Sequence, residues 1–344
     1  MTGGGAERVI SLLANRFVEQ GMEVAIMMTA GDEVVYGLNP EIRLLSMGGT
    51  SGGSMKRRLE RIRRMRACFQ KERDAVLIAF GPGTSFFTVA SDLFLKHRMI
   101  ISERNDPAVC PHRFLRNLVY RRADRLVFQT EAARDCFPAG IQKKGRVIPN
   151  PVSAGLPLPW KGERRKVVAA VGRLEPQKNY FLLLEAFARF GADYPEYRLE
   201  IYGKGSLEQE LRHRAEELGL GDRVVFQGFV KHADRQIRDA GMYVLSSDYE
   251  GISNSLLEAM AMGIPSISTD CPIGGSRLCI ASGKNGLLVP LRDPEAMAEA
   301  MKYIAAYPEQ AEAMAQRAAG IREIWSEEGI SRQWMACIDE LYAR

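Results

Sequence analysis

Short, almost wholly apolar runs recur along this chain, each followed by a segment of helical pattern. The back half reads KVVAAVG (166–172), YRLEIYG (197–203), RVVFQG (223–228), MYVLSS (242–247), PSISTD (265–270) and LLVP (287–290). The front half reads EVAIMMT (23–29), AVLIAF (75–80), RMIIS (98–102) and RLVFQT (125–130), with helical patterns at about 6–20, 84–96 and 112–122. Strands without a polar face must be covered on both sides, as in parallel sheets flanked by helices. Two such series predict an α/β protein of two doubly wound domains. The prolines of IPNPVSAGLPLPWKGE (148–163) bar helix and sheet and mark the boundary. The expected division is 1–150 and 151–327, with a terminal helix at about 328–344 packing back on the first domain. Ligands of such folds bind at the carboxyl ends of strands, so the natural site is a cleft between the domains.

The chain opens MTGGGAERV. Gly3, Gly4 and Gly5 let backbone approach a ligand, and the free N–H groups of the following helix favour an anion. Such a loop ordinarily follows a central strand. The opening therefore predicts a strand-bearing segment of about 10–15 residues ahead of it. The alternatives are a domain that folds without that strand and a plain flexible terminus.

Composition narrows the function classes. Of 344 residues, 46% are hydrophobic and 26% charged, as in a globular protein. Six scattered cysteines, without a CxxC pair or metal-type spacing, read as reduced thiols. No apolar run approaches the ~20 residues that span a bilayer. The expectation is a cytoplasmic protein, at most peripheral on a membrane's cytoplasmic face. Residues 1–150 hold 24 Lys/Arg against 15 Asp/Glu, a balance of +9; the remainder holds 23 against 27, a balance of −4. A basic front half points to an anionic surface or ligand. Its densest piece, MKRRLERIRRMRACF (55–69), places Leu59, Ile62, Met65 and Phe69 at helical spacing amid arginines. It is either a solvated surface helix with its stripe in the core or a helix touching acidic lipid headgroups. Nucleic acid is disfavoured, because no aromatic interleaving accompanies the charge. His97, His112, His213 and His232 form no catalytic or ligand constellation and read as surface or structural.

Two stretches carry chemistry. In SSDYEGISNSLLEAMAMGIPSISTD (246–270) a strand ends, a loop follows and a helix begins near Ser253. Ser255 and Glu258 have capping-box spacing, and Gly263 with Pro265 ends the helix. Glu250 lies in the loop and Glu258 inside the helix, with the amides of Gly251, Ile252, Ser253 and Asn254 between them. A phosphate resting on those amides, with hydroxyls held by the carboxylates, suits a sugar linked to a nucleoside diphosphate. An ordinary cap and a solvated loop residue are the plain alternative. In AAVGRLEPQKNYFLLLEAF (169–187) Arg173 and Lys178 stand between a strand and a helix, where they could grip phosphate oxygens or be ordinary surface cations.

Taken together, these segments resemble the family-4 retaining glycosyltransferases, which have the GT-B fold. EGISNSLLEAMAMGIPSI looks like the family's E-x7-E signature, VGRLEPQKN its phosphate-binding segment, GGGAERV its first loop and helix, and VFQGFV (225–230) its nucleobase loop. SERNDP (102–107), YRRADRLVFQTE, VIPNPV and KNGLLVPLRDPEAMAEAM are similar to its capsule, exopolysaccharide and lipid-linked oligosaccharide branch. The resemblance covers nearly the whole chain. It implies that Glu258 binds ribose hydroxyls and Glu250 donor-sugar hydroxyls, while Arg173 and Lys178 neutralise the departing diphosphate. Gly251, Ile252, Ser253 and Asn254 would contact sugar and β-phosphate, with Leu257 on the same helix in the donor site. Gly4 and Gly5 would face that phosphate from the other domain, and Phe229 and Val230 would flank the base. No metal or other cofactor is implied, and no D-x-D stands in the sequence. Many relatives carry a histidine where this chain reads Ser102-Glu103-Arg104-Asn105; either Glu103 or Arg104 is the candidate replacement.

The implied reaction transfers a sugar from a nucleotide donor, with UDP the favoured base, to a glycan or polyprenyl-diphosphate-linked acceptor with retention. No carboxylate pair is placed for inversion or double displacement. The competing readings are a sugar-nucleotide epimerase of the same architecture, whose acid/base set is not evident, and a non-catalytic nucleotide-sugar-binding protein.

Overall fold

The structure, a computed structural model, describes residues 4–29, 34–47 and 54–343. The chain divides into two compact units, Met1–Pro151 with Glu327–Arg344, and Val152–Ser326.

The first unit begins with α1 (Gly5–Glu19), β1 (Ala25–Met28), β2 (Arg43–Ser46), α2 (Ser54–Lys71), β3 (Val76–Phe80), α3 (Pro82–Ser91) and β4 (Arg98–Ser102). It continues through α4 (Arg113–Arg121), β5 (Arg125–Phe128), α5 (Glu131–Asp135), α6 (Ala139–Gln142) and β6 (Gly145–Val147). All pairings are parallel: β1 with β2, and separately β3-β4-β5-β6. The fully buried Met99, Ile100, Ile101, Leu126, Val127 and Phe128 form the centre of the four-stranded sheet. β2 and β6 were not expected. β2 is mostly exposed and β6 only three residues long, so neither shows an apolar run. The helix expected at 84–96 runs Pro82–Ser91 instead. Gly81 at φ 80 and a proline in its first turn start it early, and Phe94 and Lys96, at φ 68 and 66, lie beyond its end.

On α2, Met65 and Phe69 enter the core, but Leu59 is 49% exposed. The apolar stripe is thus buried only along its C-terminal half. Arg61 lies over the Phe87 ring at 4.9 Å. His97 is buried, with Nδ1 2.5 Å from Asp92 Oδ1 and Nε2 3.1 Å from the Glu72 carbonyl, a structural role.

The second unit holds β7 (Arg165–Val171), α7 (Tyr180–Asp193), β8 (Arg198–Tyr202), α8 (Glu208–Glu217), β9 (Val224–Gly228), α9 (Ala233–Ile237) and β10 (Ala240–Leu245). Then follow α10 (Asn254–Ala261), β11 (Ser266–Thr269), α11 (Gly275–Cys279), β12 (Leu287–Val289), α12 (Pro294–Ala306), α13 (Pro308–Ala319) and α14 (Ile321–Ile324). Its six strands are parallel in the order β12-β11-β10-β7-β8-β9. The chain starts in the middle, winds outward to β9, and returns past β7 to β10. That makes the β7/β10 edge the topological switch point. Leu183, Phe187 and Phe190 of α7 and Met297 and Met301 of α12 close over Val168, Leu199, Met242 and Val244.

The last helix, α15 (Glu327–Tyr342), lies in the first unit. Trp334 is fully buried, its ring 5.6 Å from Phe80 at 24°, and Arg125 and Arg146 both reach Glu340. Trp334 Nε1 is buried without a hydrogen-bond partner. The helix is therefore held by apolar contact at its centre. Trp334→Ala should lower first-unit stability by about 3–5 kcal/mol. Trp334→Phe, which removes the orphaned donor and keeps a ring, should cost far less. Denaturant unfolding followed by near-UV circular dichroism distinguishes the two.

Candidate functional site

The loops after β7 and β10 meet beside the switch point. Between β7 and α7 the chain makes one short 3-10 turn, Pro176–Lys178, and then Asn179 at φ 42 and ψ 53. This left-handed residue caps α7, its Oδ1 accepting the Leu182 N–H at 3.2 Å. The same side chain donates from Nδ2 to Asp248 Oδ1 at 2.8 Å. Around it the two loops are laced together. Asp248 N–H donates to the Gln177 carbonyl at 2.9 Å, Gln177 Nε2 to the Tyr249 carbonyl at 2.9 Å, and Ser246 Oγ to the Lys178 carbonyl at 2.8 Å. Arg292 ion-pairs with the other Asp248 oxygen at 3.1 Å.

The clasp brings Lys178 and Glu250 together. Lys178 Nζ donates to Glu250 Oε1 at 2.5 Å, with side chains only 14% and 11% exposed. Ser247 Oγ donates to the same oxygen at 2.9 Å. Among the hydrogen bonds of the described residues Glu250 Oε2 accepts none, and two of the three ammonium N–H groups remain for a ligand. An open carboxylate oxygen thus stands beside a fixed cation. Arg173, on the same loop, is exposed.

The loop on either side of Glu250 is pinned from behind. The Ser247 carbonyl accepts Thr269 Oγ1 at 2.6 Å. A Cβ on Gly275 would stand 1.6 Å from the Gly251 carbonyl oxygen, so only glycine lets α11 lie against this loop. Gly251, Ile252 and Ser253 are buried; Asn254 and Glu258 are half-buried. α10 starts at Asn254 with Ser253 as N-cap, and the Ser253 side chain makes no capping bond. The expected Ser255/Glu258 capping box is not formed. Ser255 lies inside the first turn, where its Oγ accepts the Tyr243 O–H at 2.7 Å and meets Ser253 Oγ at 3.1 Å. Tyr243 is fully buried; burial pushes its pKa up, and Glu258 and Glu250 raise it further. One phenol thus lies within the field of both carboxylates of the E-x7-E pair. Leu257 is buried on the core side of α10.

Phe229 and Val230 follow β9, two strands from β7, a lateral distance of ~10 Å. Phe229 is 49% exposed, an available ring at the sheet's carboxyl edge. Of the candidate residues, Arg173, Lys178, Glu250, Gly251, Ile252, Ser253, Asn254, Leu257 and Glu258 fall on the loops after β7 and β10 and on α10. Gly4 and Gly5 belong to the first unit. There Gly4 caps α1 and its N–H is taken by Glu7 Oε2 at 3.0 Å. Gly3 lies outside the described residues. Sequence reasoning missed Asn179 and Asp248. An asparagine directly ahead of an apolar helical run was a legible cap signal; Asp248 carried none.

In the first unit Glu103 and Arg104 have different surroundings. Glu103 is 3% exposed, with Oε2 accepting the Tyr120 O–H at 2.8 Å and Oε1 the Arg104 N–H at 3.0 Å. Burial raises its pKa, opposed by these hydrogen bonds and by Arg116. Its oxygens are consumed internally, so it shapes the loop. Arg104 lies over the Phe80 ring at 5.5 Å and donates to Ser102 Oγ and Asn150 Oδ1, at the carboxyl edge of β4. Among the described residues no cluster of three or more His, Cys, Asp or Glu could hold a metal ion, and no helix is long and apolar enough to cross a membrane.

Comparison with known proteins agrees with this geometry. The model for glycosyltransferase family 4 matches residues 3–155, and the model for glycosyl transferases group 1 matches residues 160–320. A Campylobacter jejuni α-1,4-N-acetyl-D-galactosaminyltransferase, whose name gives a diNAcBac-PP-undecaprenol-linked acceptor, is 27% identical over 314 residues, covering 88% of this chain and 86% of its own. An uncharacterized Haemophilus influenzae glycosyltransferase is 23% identical, covering 97% and 96%. Among solved structures, sucrose-phosphate synthase of Thermosynechococcus elongatus superposes with TM-score 0.84 at 19% identity, covering 99% and 94%. HepE of Anabaena, solved with UDP and glucose, superposes with TM-score 0.81 at 16% identity, covering 98% and 96%. Together the two family models span both units, and the chain is a retaining glycosyltransferase of family 4 with the GT-B fold.

Proposed function

We propose that the enzyme moves a sugar from a nucleoside-diphosphate donor, UDP being the favoured base, to a hydroxyl of a polyprenyl-diphosphate-linked glycan in cell-surface polysaccharide or glycoconjugate synthesis. The observation that carries the donor half is the pair formed by Lys178 and Glu250 beside the N-terminus of α10. Cation and amides offer a diphosphate a positive field; the open Glu250 Oε2 offers a sugar hydroxyl an acceptor. The acceptor half is supported by the Campylobacter jejuni relative, named for an undecaprenol-linked substrate.

In this reading Glu258 holds the ribose hydroxyls, and Phe229 and Val230 flank the base. The backbone of Gly251, Ile252, Ser253 and Asn254 contacts sugar and β-phosphate. The bond from the anomeric carbon to the β-phosphate oxygen breaks as negative charge grows on the leaving group. Lys178, Arg173 and the α10 amides stabilise that charge without a metal or other cofactor. The acceptor oxygen bonds on the same face and its proton passes to the departing phosphate. The field is pre-set, because the Asn179–Asp248 clasp holds Lys178 before any ligand arrives, so the reaction does not have to reorganise it. The enzyme works at the cytoplasmic face of a membrane, with the arginines of α2 drawing it to anionic lipid. An epimerase or a non-catalytic binder is not favoured: the relatives named above are glycosyltransferases.

Lys178→Ala should lower kcat by about 10²–10³ with nucleotide affinity less affected, since a pre-set electrostatic donor contributes about 2.7–4 kcal/mol at the transition state. Glu258→Ala should do the reverse, weakening UDP binding in calorimetry. If neither variant differs from wild type, the site is misassigned. Asp248→Ala should also lower kcat by unfastening Lys178, and Asp248→Asn, which keeps an oxygen for Asn179, should recover most of the loss. A structural role alone would show instead as a lowered melting temperature with kcat intact.

A further inference from the structure

The first unit carries an apolar ridge that its core does not use. On α4, Arg116, Val119 and Tyr120 turn inward, whereas Phe114 is 85% and Leu118 55% exposed. Four residues apart, they lie on one stripe, which reaches Arg122 after one more turn. Arg122 Nη2 pairs with buried Asp92 at 2.6 Å, immediately ahead of exposed Leu93 and Phe94. Leu93, Phe94, Lys96 and Arg122 line one depression. From α2, Arg66 donates to the Leu93 carbonyl at 2.6 Å, so the three elements meet at this corner.

The turn is built to hold a ring outward. Phe94 and Lys96 both lie in the left-handed region, at φ 68 and 66, which bulky side chains rarely adopt. The Phe94 side chain, 85% exposed, gains no burial in return.

The charges bordering the ridge are predominantly positive, with Asp124 the acidic residue of the same depression. α4 contains no acidic residue, and Lys96, Arg113, Arg121 and Arg122 accompany its apolar side chains. Asp92 is neutralised by Arg122 and held by His97, and Asp124 accepts the Met99 N–H with one oxygen. Exposed Arg57, Arg58, Arg63 and Arg64 of neighbouring α2 widen the basic field. From residue 114 to 122 the stripe is ~12 Å long, about two helical turns. Apolar side chains rimmed mainly by cations complement anionic headgroups over acyl chains.

We propose that the Leu93–Phe94 turn and the Phe114–Leu118 face of α4 insert into the headgroup–acyl boundary of an anionic bilayer, with α2 supplying flanking charge. This rests on the membrane-surface part of the function proposed above, and it moves insertion from α2 to α4 and the α3–β4 turn.

The test is sedimentation of the full chain with phosphatidylglycerol-containing and pure phosphatidylcholine vesicles at 0.15 M salt. Wild type should bind the anionic vesicles strongly and the neutral ones weakly. The variant F94S/F114S/L118S should lose at least tenfold in partitioning while keeping its melting temperature and its turnover of a water-soluble acceptor. Should that variant fold poorly, F94W serves alone: its emission, taken as the difference from wild type, should shift blue on anionic vesicles. Wild-type-like binding by the triple variant, an unshifted F94W, or no vesicle binding by wild type would each overturn the proposal. Lost turnover on the soluble acceptor with vesicle binding intact would count against the transferase site instead.

Discussion

The second unit's site depends on one lattice of short contacts, the lacing of residues 177–179 to residues 246–250. Neither loop has regular secondary structure over these residues beyond a single 3-10 turn, so their geometry comes from each other. Asn179 is the pivot. Its left-handed backbone turns the chain from the loop after β7 into α7, its side-chain oxygen caps that helix, and its side-chain nitrogen ties Asp248. The Lys178–Glu250 pair follows from this. Two opposite charges with little solvent exposure are costly to separate, and removing either would leave the other uncompensated. The pair therefore keeps both side chains in place before a substrate enters.

The same pairing gives Glu250 two different oxygens. Oε1 is shared by Lys178 and Ser247, while Oε2 is open. A carboxylate used wholly for structure would resemble Glu103, whose two oxygens are taken by Tyr120 and a backbone amide. Comparing the two glutamates separates a group arranged for a ligand from one arranged for a loop. Arg104, stacked over Phe80 at the edge of β4, is likewise engaged, by Ser102 and Asn150, and burial lowers its pKa to about 9.

The two units differ in how they are stabilised. The second has a six-stranded sheet wrapped by α7 and α12 and a central strand order that defines its ligand edge. Among the described residues, the first has its strands in two separate sheets, recruits α15 from the far end of the chain, and leaves aromatic and aliphatic side chains of α3, α4 and the turn between α3 and β4 in solvent. Surface of that kind, basic and apolar together, is costly to maintain in water alone.

Much of this was legible in the linear chain. Apolar runs of four to seven residues specify buried parallel strands, because no other element buries both faces of so short a segment. They located β3, β4, β5 and β7 through β12 to within about two residues. The glycine and charge pattern of 172–178 and 250–258 marked two loops that the structure laces together, because backbone approach and phosphate neutralisation demand particular residue types. What the chain alone left open was whatever depends on a partner distant in sequence. Ser255 has capping-box spacing, yet Tyr243 claims its hydroxyl. Leu59 has core spacing, yet only Met65 and Phe69 find the core. Glu103 and Arg104 are adjacent, and only the position of Tyr120 decides which turns inward. Local periodicity determines which elements form; tertiary packing decides which hydrogen-bonding groups and apolar faces remain unsatisfied, and therefore which are available to a ligand or a surface.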